Sequence, residues 1–196
     1  MTDENAEPVR KKRGLLWKFL IGVAVIVLLF LGVVAMQPSE FSVTRSATIS
    51  APPAAVFAQV NDFRSWEAWS PWAKKDPDAR NSFEGPASGT GAVFKWSGNQ
   101  EVGEGSMTLT ESRPNELIRM RLDFVKPMED TADVEFHFQP QNDQTVVTWT
   151  MSGENNFIGK IFCLFMDMDE MIGGDFEQGL ANMKSVVERT TTSSPQ

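Results

Sequence analysis

The chain has 196 residues, 18 Lys or Arg against 26 Asp or Glu, and a formal net charge of −8. A single Cys and a single His exclude an intrachain disulfide and a His/Cys zinc site built from this chain alone, and no cofactor is expected. The acidic balance argues against nucleic acid as a partner, and six Trp, fourteen Phe and ten Met without any Tyr suit an apolar cavity better than acid/base chemistry.

Residues 1 to 14 form a polar and then basic flank in which Arg10, Lys11, Lys12 and Arg13 directly precede the uncharged run of residues 19 to 36. At roughly 1.5 Å of rise per residue that run is about 27 Å long, close to the hydrocarbon thickness of a bilayer. Leu15 and Leu16 extend it and Lys18 can snorkel to the interface, so a transmembrane helix is expected over residues 15 to 36. A helix buried in a soluble core would carry polar punctuation, whereas this one is apolar on every face. The basic flank predicts a single-pass protein of the cytoplasmic membrane with its N-terminus inside, Trp17 at the entry edge, and the following domain extracytoplasmic. A signal peptide is the competing reading: Val33, Val34 and Ala35 form a passable site, and cleavage after Ala35 would release the domain as a secreted carrier.

Residues 37 to 40 read as a short linker, residues 41 to 189 as one domain, and residues 190 to 196 as a disordered polar tail, like residues 1 to 9. Past residue 36, 13 Lys or Arg stand against 23 Asp or Glu, so the domain is strongly acidic.

Residues 41 to 49 alternate Phe41, Val43, Ala47 and Ile49 with polar neighbours, the period of a half-buried strand that Arg45 interrupts on its apolar face. Pro52 and Pro53 then open a short helix over residues 54 to 60. Residues 76 to 91 are rich in Asp, Pro, Gly and Ser and read as loop. An antiparallel meander follows, with strands at residues 92 to 96, 105 to 111, 117 to 125, 133 to 139 and 145 to 152, one face apolar throughout. The chain closes on a helical stretch over residues 157 to 188, in which Phe165, Met168, Ile172, Phe176, Leu180, Met183 and Val187 recur at spacings of three and four. That stripe should pack into the concave sheet, with a kink or break at Gly173-Gly174.

This order of elements, with Ile49-Ser50-Ala51-Pro52 leading into Val56-Phe57, resembles the helix-grip fold of the START-like (SRPBCC) superfamily, in its polyketide cyclase/dehydrase and lipid-transport branch. Local text carries the same resemblance: Phe63-Arg64-Ser65-Trp66-Glu67-Ala68-Trp69-Ser70-Pro71-Trp72, Gly89-Thr90-Gly91 before Trp96, Gly103-Glu104-Gly105, and Asp175-Phe176-Glu177-Gln178-Gly179-Leu180. It covers about residues 41 to 188. It implies an α+β domain whose curved antiparallel sheet wraps a long C-terminal helix, with a cavity between them for lipids, polyketides or other hydrophobic ligands. It implies no reaction, and no catalytic residue is carried over.

Trp66, Trp69 and Trp72, three residues apart, either plug one end of the core or line the mouth of the cavity. The inward-facing set expected from alternation is Phe94, Trp96, Met107, Met120, Phe124, Phe136, Phe138, Trp149, Met151, Met168 and Met171, each a core residue or a cavity wall. Arg45 either snorkels from an edge or pairs with an acidic side chain or ligand group. His137, between Phe136 and Phe138, belongs to the opposite, solvated face, and the acidic clusters at residues 167 to 170 and 175 to 177 lack the spacing of a calcium loop. The leading reading is a membrane-anchored, non-enzymatic binding domain for a lipid or other hydrophobic molecule, its protein partners unidentified. A cyclase or dehydratase acting on a polyketide-like or aromatic substrate is the enzymatic rival, and a protein-interaction scaffold is the third class.

Overall fold

A computed structural model describes residues 9–155, 157–165 and 168–192. Its helices are α1 (Val9–Ala35), α2 (Pro53–Asn61), α3 (Trp72–Lys75), α4 (Phe157–Phe165) and α5 (Met168–Thr192). Its strands are β1 (Glu40–Ile49), β2 (Arg80–Glu84), β3 (Val93–Ser97), β4 (Glu104–Arg113), β5 (Leu117–Lys126), β6 (Asp130–Gln141) and β7 (Gln144–Glu154). They form one antiparallel sheet of order β1-β7-β6-β5-β4-β3-β2, in which the first strand closes against the last. Period-two alternation puts the apolar side chains on one face, and α2 and α5 cover that face. This is the α+β helix-grip architecture.

Cross-strand register sorts the covered face into rows. One row runs Arg45, Trp149, Phe136 and Ile118; the next runs Val43, Met151, Val134, Met120 and Leu109; a third runs Phe41, Gly153, Ala132, Leu122, Met107 and Phe94. The first two rows are mostly buried apolar side chains, and in the first Trp149 stacks on Phe176 of α5. The third has its two smallest members, Gly153 and Ala132, side by side on neighbouring strands.

Four sequence expectations are corrected. α1 begins at Val9, inside the basic flank, because Arg and Lys are good helix formers; residues 1–8 lie outside the described residues. The stretch read as loop contains β2, an edge strand exposed at every position, whose one-sided pairing with β3 leaves no burial pattern to read. The tail expected from residue 190 is helical to Thr192. Finally, α5 runs unbroken through Gly173 and Gly174; residues 166 and 167, between α4 and α5, lie outside the described residues.

Gly173 has a tertiary reason. A Cβ there would stand 2.0 Å from the Arg45 guanidinium, which reaches α5 from β1, whereas Gly174 has nothing within 4 Å.

Candidate ligand site

The space expected to hold a ligand, between the sheet and α5, is occupied by aromatic rings. Asp62 caps a 3₁₀ turn, Phe63–Ala68, by accepting from the Arg64 N–H, and the turn with α3 delivers all three Trp to one point. Trp66 and Trp69 are buried and Trp72 is half-buried. The indole N–H groups of Trp66 and Trp69 donate to the Val60 and Gln59 carbonyls, each at 3.1 Å, which ties the turn back onto α2. All three rings meet Trp149 edge-on, with centroids 6.2, 5.7 and 5.8 Å away. Phe176 of α5 stacks on Trp149 at 3.9 Å with the planes 7° apart, and Phe136 stacks at 4.7 Å. Such pairs contribute about 0.5–1.5 kcal/mol each beyond area burial.

Of the expected inward set, Met107, Met120, Phe136, Phe138, Trp149 and Met151 are buried core. Phe94, Trp96 and Phe124 are half-buried toward the free end of the sheet, where Phe94 stacks with both Phe83 and Trp96. Met171 is corrected: it is 48% exposed, because α5 turns that position away from the sheet. Met168 opens α5, and its side chain lies outside the described residues.

Arg45 takes the second of its two readings. Its Nε donates to Glu177 Oε1 at 2.8 Å, and its two terminal nitrogens donate to Asp169 Oδ1 and Oδ2 at 3.0 and 2.9 Å. Further bonds run to the Thr44 and Asp169 carbonyl oxygens. Hydrogen bonds from the guanidinium are the main reason the Asp169 carboxyl is held below the usual carboxylate range, and the same contacts push Arg45 further up. Arg45 therefore fastens α5 to β1. His137 is on the outer face beside Glu135. Burial alone would raise the Glu135 carboxyl, but hydrogen bonds from Arg119 and His137 outweigh it and hold it down.

An opening of about 710 Å³ lies elsewhere, at one end of the sheet. Phe124, Val125, Ala132 and Gly153 supply its apolar wall, and Asp123, Asp130, Asp133 and Glu154 its acidic rim. Ala132 and Gly153, the small members of the third row, reach its wall, and the ring of Phe41 packs against Gly153. Among the expected ligand-contacting residues that are described, only Phe124 lines it. Ala132 and Gly153 were not expected, although two small residues in otherwise bulky alternating strands were a visible signal. The opening is at the end of the sheet where β1 starts, so α1 and the residues that follow it arrive beside the site.

No curated protein matches the chain. Solved structures share the fold at low identity. Protein CV1439 of Chromobacterium violaceum is 14% identical with a TM-score of 0.56, over 75% of this chain and 96% of that one. The Aha1 dimer of Colwellia psychrerythraea is 18% identical with a TM-score of 0.55, over 76% and 96%. The di-domain ARO/CYC protein StfQ of the steffimycin biosynthetic pathway is 11% identical with a TM-score of 0.58, over 79% of this chain and 52% of that one. The model of the polyketide cyclase / dehydrase and lipid transport family matches residues 40–188, and with the helix-grip fold on the page the chain belongs to that family.

Proposed function

We propose that this protein is a membrane-anchored carrier for a lipid or other hydrophobic small molecule, which it holds at the open end of the sheet. The observation that carries the reading is the position of the 710 Å³ opening, beside the point where the apolar helix α1 joins the domain. Its volume falls in the range of about 300–1,000 Å³ common for small-molecule sites. The basic flank orients α1 with the domain outside the cytoplasm.

A cyclase or dehydratase reading would need a proton donor or acceptor aimed at the ligand. Arg45 is engaged by α5 and His137 by Glu135 on the outer face, so that reading would have to draw its proton donor or acceptor from the rim carboxylates Asp123, Asp130, Asp133 and Glu154.

Full-length protein purified from membranes in mild detergent should yield a bound hydrophobic molecule by mass spectrometry of its organic extract. Thr131→Trp, which puts a bulky ring on the exposed wall of the opening, should lose most of that molecule. Val125→Trp narrows the exposed rim without entering the core and should do the same. An empty wild-type protein would sink the carrier reading; equal loading of wild type and both variants would sink the site.

A further inference from the structure

Apolar surface outside the packed core gathers at one end of the domain. On α4, Phe157, Ile158 and Phe165 are 52%, 50% and 74% exposed, and Ile158 and Phe165, seven residues apart, share a helix face. Val125, near the end of β5, and Met128, in the β5–β6 connection at the same end of the sheet, are exposed as well. A patch of this kind is costly in water and marks a contact surface.

The arrival of α1 says what covers it. The Ser39 carbonyl accepts from the Asn155 N–H at 2.7 Å, and the Ser39 hydroxyl accepts from Lys160 Nζ at 2.9 Å. These bonds hold the first turn of α4 to the residues directly after α1. α4 packs against α1, and Val34, one residue from the end of α1, is fully buried although most of α1 is exposed. A bilayer that encloses α1 therefore meets α4 at the same level. The Lys160 ammonium beside Ser39 suits the headgroup boundary, where a lysine stem can lie in apolar surroundings with its charge in water.

We propose that α4 is a second membrane element, lying in the plane of the outer leaflet with Ile158 and Phe165 in its apolar layer. This rests on the reading of α1 as a membrane span. An amphipathic helix in this position buries its apolar face about 5–10 Å into the headgroup–acyl boundary. Because the domain is strongly acidic, the contact is apolar rather than electrostatic and holds at high salt. It also aims the site. Glu154 and Asn155 on its wall lead directly into α4, and Val125 and Glu129 bound it on the other side, so its mouth faces the headgroups. A lipid can then move between bilayer and domain without crossing bulk water.

The test uses the full chain with Cys163→Ser, so that one introduced cysteine carries an environment-sensitive fluorophore. Labelled Phe165→Cys, Leu28→Cys and Asp143→Cys proteins are reconstituted in phosphatidylcholine vesicles, with and without phosphatidylcholine bearing a doxyl quencher just below its headgroup. Ile158→Cys is a second reporter on the same face should Phe165→Cys fail to fold. Loss of fluorescence at Phe165 and Leu28, but not at Asp143 in the distant β6–β7 turn, is the expected result, unchanged in high salt. Loss at Leu28 alone overturns the proposal and leaves the α1 span intact. Loss at neither position overturns both. A blue-shifted but unquenched label at Phe165 identifies a second copy as the cover, which also overturns it.

Discussion

Two glycines adjacent in sequence have opposite duties, and alanine separates them. Alanine in a helix interior is favoured over glycine by about 1 kcal/mol. Gly174→Ala, with nothing within 4 Å, should raise the denaturant midpoint by roughly that stability. Gly173→Ala should not, since its methyl displaces the Arg45 guanidinium and breaks the bonds to Asp169 and Glu177. A comparable gain at both positions would refute the close approach. The Trp cluster offers a second contrast. Among the described residues, the buried Trp149 Nε1 has no hydrogen-bond partner, whereas the Trp69 Nε1 is satisfied by Gln59. A buried unsatisfied donor costs about 1–3 kcal/mol, and Trp149→Phe removes one. Chemical denaturation should therefore find Trp149→Phe milder than Trp69→Phe; the reverse order would mean that Trp149 has a partner.

At the scale of elements, α5 is held by two devices: the apolar stripe of Phe176, Leu180, Met183 and Val187, and an ionic lock at Arg45. The lock has a pH signature. The Asp169 carboxyl titrates lower in the folded chain than in the unfolded one, so its contribution is complete above the unfolded pKa. It disappears as pH falls through the folded value. Glu188 adds the same trend, held down chiefly by the Ser50 N–H at the end of β1. Thermal melts from neutral to acid pH should lose stability on the acid side, and Asp169→Asn should make that slope shallower. An unchanged slope would remove Asp169 from the account.

For the whole molecule, the decisive question is whether α1 stays attached. An alkaline carbonate wash of membranes expressing the full chain should leave the protein in the pellet, with an intact mass that includes residues 1 to 36. A soluble product beginning at Met36 would instead identify α1 as a cleaved signal and the domain as a free carrier. The consequences differ by distance: an anchored carrier exchanges with one bilayer through a gap of a few residues, while a free one ferries between surfaces.

Much of this was legible in the chain. Period-two alternation, turn residues and the three-and-four spacing of α5 are local signals, and they gave every strand but β2 within a few residues at each end and the presence of both long helices, though not where those helices begin. The apolar run of residues 19 to 36 announced α1 because it is uncharged and long enough for a continuous helix, of which Leu16–Ala35 is long and apolar enough to cross a membrane. The outward side of His137 also followed from alternation. The site did not. Alternation says which face a side chain takes, but volume on that face depends on which residues meet across strands and over α5, and those partners are distant in sequence. Trp66, Trp69 and Trp72 carried the same local text whether they lined a cavity or filled the core; that all three meet Trp149, on which Phe176 stacks, was decided by the tertiary structure. Gly153 and Ala132 became a wall only because antiparallel register set them side by side at the end where α1 enters. Residue type and period thus determined the elements and their faces, while cross-strand register and helix docking, both long-range, decided where space was left.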